Sequence, residues 1–313
     1  MTLLLTRSEI LELLDIPSVL EVLRDGFTAS TVVEPQRMRT DLPGPGTATA
    51  LLPGVIPGIP AYTVKINAKF PAATPALRGV VCLHDLADGS LLAVMDSSSV
   101  TAWRTGLAAA LATDVLASAE AATVGVIGAG AQSAMVIRGL AALRPVRHLV
   151  VHDTDPRKAA DFVDSHPMVP ASIAVDALEV ARRAELVVMA TWSREPLLAA
   201  ADVRPGQHFT SLGADEPGKV ELSADLLLKA RIVVDDRRLA VSMGAVGTVG
   251  LGEEAVHATL TEILTGRSPG RERSAQLTVY APLGLPWQDL AVAWPVYQAA
   301  LSAGTAGAID FLA

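Results

Sequence analysis

The sequence predicts an α/β protein with a parallel sheet in its second half and a separate α+β domain in its first. Two observations predict it. From Thr123 onward, short apolar runs recur with helical stretches between them, the rhythm of a parallel sheet covered on both faces. Before about residue 120, strand-like runs follow one another closely, as in an antiparallel sheet. A chain of 313 residues, 50% hydrophobic, has the apolar material for two cores. With only 4% aromatic residues, those cores must be built from Ala, Val, Leu and Ile.

Thr6 and Glu9 have capping-box spacing ahead of Ile10, Leu11, Leu13 and Leu14, which predicts a short first helix. Asp15-Ile16-Pro17 starts a second, with proline in the first turn, where its missing N–H costs nothing. A Pro/Gly-rich stretch follows. Ala61–Asn67 then reads as a strand, and Gly79–Leu86 and Leu91–Met95 flank Ala87-Asp88-Gly89-Ser90, a hairpin signal. Asp96–Ala117 reads as a long Ala/Leu helix. Parallel strands are expected at Thr123–Gly128, His148–His152, Ser172–Val175, Leu186–Thr191, His208–Leu212 and Arg231–Val234. Beyond Val249 a Gly/Pro-punctuated segment reaches a last strand at Leu277–Tyr280, and a terminal helix is expected from about Pro286 to Leu301.

Composition excludes several function classes. With 25 basic against 33 acidic residues the chain carries −8, which argues against binding a nucleic-acid backbone. The single cysteine, Cys82, rules out an internal disulfide framework and reads as a buried, inert thiol. Six scattered histidines leave no zinc-type cluster. The longest uncharged run, Leu42 to Val64, holds Pro43, Pro45, Pro53, Pro57 and Pro60 and cannot be one membrane-spanning helix. Arg7 and Glu9 interrupt the apolar N-terminus too soon for a signal segment, so a soluble, cytoplasmic protein is expected. No GxSxG, HExxH or Walker A pattern is present, which leaves hydrolase and nucleoside-triphosphatase readings unsupported.

Val124-Gly125-Val126-Ile127-Gly128-Ala129-Gly130-Ala131-Gln132-Ser133 reads as a strand, a tight glycine turn and a helix start. Gly128 permits the turn, and Gly130 lets the backbone approach a pyrophosphate. The helix N-terminus then supplies N–H groups and partial positive charge. Ser133 stands where the dinucleotide-binding (Rossmann) pattern has glycine or alanine. Asp153 lies 25 residues beyond Gly128, at the end of the second strand, where a carboxylate accepts from both ribose hydroxyls. A 2′-phosphate would face that carboxylate, and Thr154 is not an arginine that could pair with it. The sequence therefore favours NAD over NADP.

Three segments carry substrate signals. Asp96 to Gly106 places Arg104 in or near the first turn of its helix, where a cation opposes the dipole and needs compensation. A bound carboxylate would supply it; so would solvent. Lys65 sits between apolar residues on the Ala61–Asn67 strand, facing either a cleft or water. Arg37 and Arg39 flank the same region. Ser211 to Lys219 follows the His208–Leu212 strand, and in open α/β sheets ligands bind beyond the carboxyl ends of strands. That puts Asp215 or Glu216 near the reactive end of a cofactor, able to take a proton from a substrate ammonium. Asp215 precedes the rigid Pro217-Gly218 turn, and Glu216 is expected to point outward.

Taken in order, Val64-Lys65, Val100-Thr101-Ala102-Trp103-Arg104-Thr105, Ile127-Gly128-Ala129-Gly130-Ala131-Gln132 and Gly213-Ala214-Asp215-Glu216-Pro217-Gly218-Lys219-Val220-Glu221-Leu222 resemble the ornithine cyclodeaminase/mu-crystallin family over nearly the whole chain. The resemblance implies a homodimer. It implies a substrate and dimerisation domain, 1–118, completed by the C-terminal helix in 286–313, with an NAD-binding Rossmann domain, 119–285, between these segments. It assigns the carboxylate of a small amino or imino acid to Arg37, Lys65 and Arg104, preferring Arg37 to Arg39 because Glu34-Pro35-Gln36-Arg37 resembles the family's proline-x-arginine signature. Catalysis falls to Asp215, with Lys65, and the cofactor to Gly128, Ala129, Gly130, Ala131, Gln132, Asp153, Thr154 and Thr191. Ala131-Gln132-Ser133, Asp153-x-Asp155-Pro156 and Pro217-Gly218-Lys219 resemble the cyclodeaminase branch, and Thr154 stands where the NADPH-binding mu-crystallin branch has arginine. The activity implied is NAD-dependent oxidation of an L-α-amino acid to an imine, with cyclisation, ammonia loss and return of the hydride. A net amino acid dehydrogenase or ketimine reductase, and a non-catalytic binder, are the alternatives. Ala50 stands where the ornithine branch carries a glutamate that holds the distal amine.

Overall fold

The computed structural model describes residues 1–29, 33–43, 46–304, 306–311 and 313; Pro45 lies outside the described residues. The chain divides into two compact units: Met1–Thr105 with Leu285–Ala313, and Gly106–Gly284. The first unit runs through β1 (Thr2–Leu5), α1 (Arg7–Leu13), α2 (Ile16–Thr28), β2 (Gln36–Asp41), β3 (Thr47–Gly54), β4 (Ala61–Lys69), β5 (Leu77–Asp85) and β6 (Leu91–Asp96) into α3 (Ser97–Leu116). The second unit holds β7 (Thr123–Ile127), α4 (Ala131–Leu143), β8 (His148–His152), α5 (Pro156–Asp164), β9 (Ala171–Ile173), α6 (Ala177–Arg183), β10 (Leu186–Met189) and β11 (His208–Ser211). It continues with α7 (Ala224–Lys229), β12 (Arg231–Val234), α8 (Arg237–Ser242), α9 (Ala245–Thr248), β13 (Ala258–Thr259), α10 (Leu260–Leu264) and β14 (Thr278–Tyr280). The chain then returns to the first unit as α11 (Trp287–Ala303) and β15 (Gly307–Ile309).

In the first unit the capping box closes as expected: the Thr6 hydroxyl accepts from Glu9 N–H, and the Glu9 carboxylate accepts from Thr6 N–H at 2.8 Å. Asp15 caps α2 and Pro17 sits in its first turn. The sheet has seven strands in the order β15-β1-β6-β5-β4-β3-β2, of which the sequence shows three, β4, β5 and β6. It is not purely antiparallel, because β1 lies parallel to β6. Pleating sends alternate residues to opposite faces. One row runs across β2 to β6 as Arg37, Leu51, Lys65, Val81 and Met95, and this face is covered by α11. The adjacent row, Met38, Ala50, Ile66 and Val80, faces the other way. Phe27 of α2 meets Trp287 of α11 edge-on, ring centroids 4.8 Å apart, which closes the helical layer.

The second unit is an eight-stranded parallel sheet in the order β13-β12-β14-β11-β10-β7-β8-β9. Its central strands β7 and β10 are apolar on both faces, as parallel strands buried between helices are. Val124, Val126, Leu149, Val151 and Val188 pack with Val136, Ile137 and Leu140 of α4. Ile127, Val150, Val187 and Met189 pack with Val180 and Ala181 of α6 and with Leu226 and Leu227 of α7. The sequence places the domain boundary at 118/119, after α3, but the compact units divide inside that helix, between Thr105 and Gly106. Close approach to α4 is the reason. A Cβ on Gly106 would lie 2.5 Å from the Met135 Cβ, and one on Gly139 would lie 2.7 Å from the Ala110 Cβ. No helix among the described residues is long and apolar enough to cross a membrane.

A neutral histidine sits in the core of this unit. His208 Nδ1 and Nε2 each lie 2.9 Å from a threonine hydroxyl, of Thr278 and Thr210 respectively. Burial, with Arg271 and Arg144 nearby, pushes its pKa down to about 3. A base whose folded pKa is depressed binds fewer protons than in the unfolded chain, so its stabilisation holds above about pH 6.5 and is lost as the pH falls. From this group alone, stability is expected to drop by about 2 kcal/mol between pH 7 and pH 5. Urea unfolding at both pH values checks this; His208→Asn should flatten the slope, and an equal slope in the variant would assign acid sensitivity elsewhere.

Candidate active site

Chain order in the second sheet reverses between β7 and β10: β8 and β9 follow on one side, β11 and β14 on the other. Outside the carboxyl ends of those two strands is where such sheets bind ligands. Gly128 leaves β7 with φ +90°, and a Cβ there would press on the Ala190 carbonyl oxygen at 2.6 Å. Ser133, fully buried, donates its hydroxyl to the Gly128 oxygen at 2.6 Å, so the departure at the third motif position ties the turn to its own helix. Gly130 is different. Its φ of −97° suits any residue, and nothing lies within 4 Å of where a Cβ would be. Neither backbone nor neighbours demand glycine there; a group approaching from outside would, and a pyrophosphate at the side-chain-uncapped N-terminus of α4 fits. Ala131 and Gln132 open that helix. Asp153 stands after β8 as expected, but its carboxylate also braces the turn. Oδ2 accepts from Ala129 N–H at 2.8 Å, and Oδ1 accepts from Asp155 N–H at 2.9 Å. Thr154 is exposed beside it.

Beyond β10, Thr191 directs both its N–H and its hydroxyl to Glu221 Oε1, each at 2.8 Å. Beyond β11, Asp215 is partly exposed and accepts from Lys219 Nζ at 2.9 Å. The Lys219 ammonium also stands 4.4 Å from the centroid of the Trp192 ring. Glu216 does not point outward: it is 3% exposed. The Pro217-Gly218 turn, with Gly218 at φ +79°, takes the exposed positions and folds Glu216 in. Of the two, Asp215 is therefore the carboxylate open to solvent. Burial raises the Glu221 carboxyl, against the pull of its four hydrogen-bond donors.

In the first unit, Lys65 and Asp289 are each 1% exposed, and Lys65 Nζ donates to Asp289 Oδ1 at 2.6 Å. Lys65 also donates to the Thr101 hydroxyl at 3.3 Å. Arg104 brings Nε to 3.3 Å from the same Asp289 oxygen, and a second guanidinium nitrogen donates to Gln288 Oε1 at 3.1 Å. Burial above all, with like charge from Arg104 and Arg37, lowers the Lys65 pKa to about 7 against the attraction of Asp289. Arg104 is not in the first turn. Asp96 caps α3, accepting from Ser99 N–H at 2.8 Å, so the helix starts at Ser97 and Arg104 lies two turns in. Its compensation is Asp289, not a helix-end ligand. Neither Asp289 nor Gln288 was singled out by the sequence, since nothing local marks a pairing across 224 residues.

Register separates the two arginines of β2. Arg37 shares the row of Lys65, whereas Arg39 is aligned with Thr49 and Asn67 and is ion-paired with Asp41 at 2.8 Å. Ala50 pairs with Met38 and Ile66, on the face away from Lys65. A carboxylate at that position would not reach the Lys65 side of its own sheet. Cys82, aligned with Val64 and Val94, is half-buried on that other face, and burial raises its thiol pKa. No group of three metal-ligating side chains occurs among the described residues.

Comparison with known proteins gives a consistent neighbourhood. The profile of the ornithine cyclodeaminase/mu-crystallin family matches residues 3–304. An alanine dehydrogenase of Archaeoglobus fulgidus is 36% identical over 241 residues, covering 76% of this chain and 75% of that protein. An archaeal alanine dehydrogenase dimer with bound NAD superposes with a TM-score of 0.92 at 30% identity, covering 99% of each chain. The Δ1-pyrroline-2-carboxylate reductase of Thermococcus litoralis, in complex with NADH and L-proline, also gives 0.92, at 26% identity, covering 98% of this chain and all of the other.

Proposed function

We propose, for a chain that belongs to the ornithine cyclodeaminase/mu-crystallin family, that it interconverts a small α-amino acid and its imine with NAD as redox partner. The observation that carries this reading is the Lys65–Asp289–Arg104 cluster. Two buried cations share one carboxylate there, leaving one positive charge for the carboxylate of a substrate. Arg37, in the Lys65 row, adds to that field. The Gly128–Gln132 turn, Asp153, Thr154 and the end of β10 at Thr191 form the cofactor set. NAD bound there supplies a hydride acceptor, or as NADH a donor, for the substrate Cα. An α-ammonium forms no imine until its nitrogen lone pair is free. Asp215 takes that proton in oxidation and returns it in reduction. Lys65, its pKa lowered to about 7 by burial, is held in its charged form by the substrate carboxylate when that anion is bound.

Net redox is supported by the 36% identity to an alanine dehydrogenase, while a lysine cyclodeaminase at 26% identity, TM-score 0.88, keeps cyclodeamination as the second reading. Screening amino and imino acids by mass spectrometry while following reduced-nicotinamide absorbance tests this. A steady absorbance change matched to product is expected. Product forming at flat absorbance would establish the cyclodeaminase cycle instead, and no product from any candidate would leave a binding protein. A homodimer belongs to the same reading. Met38 and Ile66, 65% and 55% exposed, lie on the sheet face that α11 leaves open, a surface suited to a second copy.

NAD is expected to bind more tightly than NADP, because a 2′-phosphate would meet the Asp153 carboxylate. Asp153→Ser should narrow the gap while weakening both, since it also releases the Ala129 amide. Titration of both cofactors at one ionic strength decides it; tighter NADP binding by the unaltered protein would sink the assignment.

A further inference from the structure

We propose that Glu221 is a positioning residue that locks together the two loops leaving β10 and β11, and so fixes where Asp215 stands. The catalytic consequence rests on the reading above; the lock itself does not. The side chain is 1% exposed and accepts four hydrogen bonds. Oε1 takes the Thr191 N–H and hydroxyl, both at 2.8 Å. Oε2 takes the Ser211 hydroxyl at 2.7 Å and the Gly213 N–H at 2.9 Å. One carboxylate thus serves both loops, one oxygen to each.

The place of this contact gives it meaning. Strands β10 and β11 pair from Leu186 and His208 up to Met189 and Ser211, and the Leu212 N–H to the Met189 oxygen, 2.8 Å, continues the contact past their ends. Beyond it the chains part, and Glu221 fills the role of the missing rung. The loops lie so close that a Cβ on Gly213 would strike the backbone of Thr191 and the Glu221 carboxylate, which accounts for glycine there. Glu221 is anchored from behind. Its carbonyl accepts from Leu197 N–H at 2.8 Å, and Leu198 bridges Leu222. The segment then closes on itself twice, Gly213 to Glu221 and, inside that, Asp215 to Lys219.

Chemistry explains why this residue is glutamate. Each oxygen receives one backbone N–H, a donor that cannot turn round. A glutamine would set its NH2 against one of those two amides whichever way it lay, leaving a buried donor unsatisfied. An aspartate keeps the charge but falls one methylene short. Only a full-length carboxylate satisfies Thr191 and Gly213 together.

The test uses the full chain with Glu221→Gln, Glu221→Asp and Asp215→Asn, and with Ser211→Ala, which removes one side-chain donor but neither backbone amide. Amide hydrogen exchange at Thr191 and Gly213 reads the lock without a substrate; NADH titration and kcat, KM and pH profiles read its consequence. In Glu221→Gln both amides are expected to exchange at least about tenfold faster. NADH affinity should stay within about threefold, and kcat should fall about 10- to 100-fold with KM little changed, as expected of a misplaced acid–base group. The pH profile should shift, because Asp215 moves relative to Lys219. Glu221→Asp should lie between the two, and it carries the test if the glutamine variant does not fold. Ser211→Ala should change kcat less than about threefold. Unchanged exchange in a folded Glu221 variant overturns the lock. Faster exchange with unchanged kcat and pH profile overturns its positioning role. Normal turnover in Asp215→Asn would fault the functional reading instead, with the exchange result standing by itself.

Discussion

Replacing Asp289 with alanine is expected to destabilise the protein by about 3–5 kcal/mol, the effect of removing one partner from a buried ion pair. Asp289 Oδ1 is the anion for both Lys65 and Arg104, and all three side chains are buried. Without it Lys65, whose pKa is about 7 even with Asp289 beside it, is driven to give up its proton, and Arg104 is left a buried cation to which Gln288 brings only a partial charge. The deficit should shrink as the pH rises from below 7 through about 7, because Lys65 then sheds its proton in the intact protein too and its pair with Asp289 is lost there as well. Urea unfolding at several pH values measures both the loss and its slope. A loss under about 1 kcal/mol at pH 7 would mean that the pair is not what holds α11 to β4.

Asp215→Asn is expected to keep the fold and the NAD affinity while slowing turnover by about 10²–10⁴, the usual contribution of a positioned acid–base group. Asparagine matches the shape of aspartate and still accepts from Lys219, but it cannot take a proton from an ammonium. The comparison needs a confirmed substrate and rates across pH. Near-normal turnover would move proton transfer elsewhere.

Legibility in the sequence followed the range of the interaction. The glycine turn, its flanking strand and helix, and Asp153 are contiguous or one βαβ unit apart, so spacing revealed them. The N-terminal caps were legible for the same reason: Thr6–Glu9 and Asp15–Ser18 are contacts over three residues. Strands β2 and β3 were not, because Gln36 to Asp41 has hardly an apolar residue and β3 ends at Pro53-Gly54, among residues that signal turns. Arg104 was assigned to the wrong turn although Asp96 and Ser99 carried a readable cap. Glu216 was misjudged because a turn exposes its tip, not every residue before it. Asp289 could not be read at all. Its partners are fixed by tertiary folding, and Gln288-Asp289 reads as an ordinary polar first turn until α11 is laid on β4.

The division of the chain has a consequence for the order of synthesis. Residues 106–284 form their unit from one unbroken stretch, complete before Leu285 leaves the ribosome. The first unit is started before the second and finished after it, since α11 and β15 follow residue 284. Until then β1 lacks its outer neighbour, and the β4 lysine has no counter-ion for its ammonium. A nascent chain therefore carries a finished second unit behind a half-built first one. Premature termination near residue 284 would release a fragment with residues 106–284 whole but with its N-terminal sheet lacking α11, the helix that covers it.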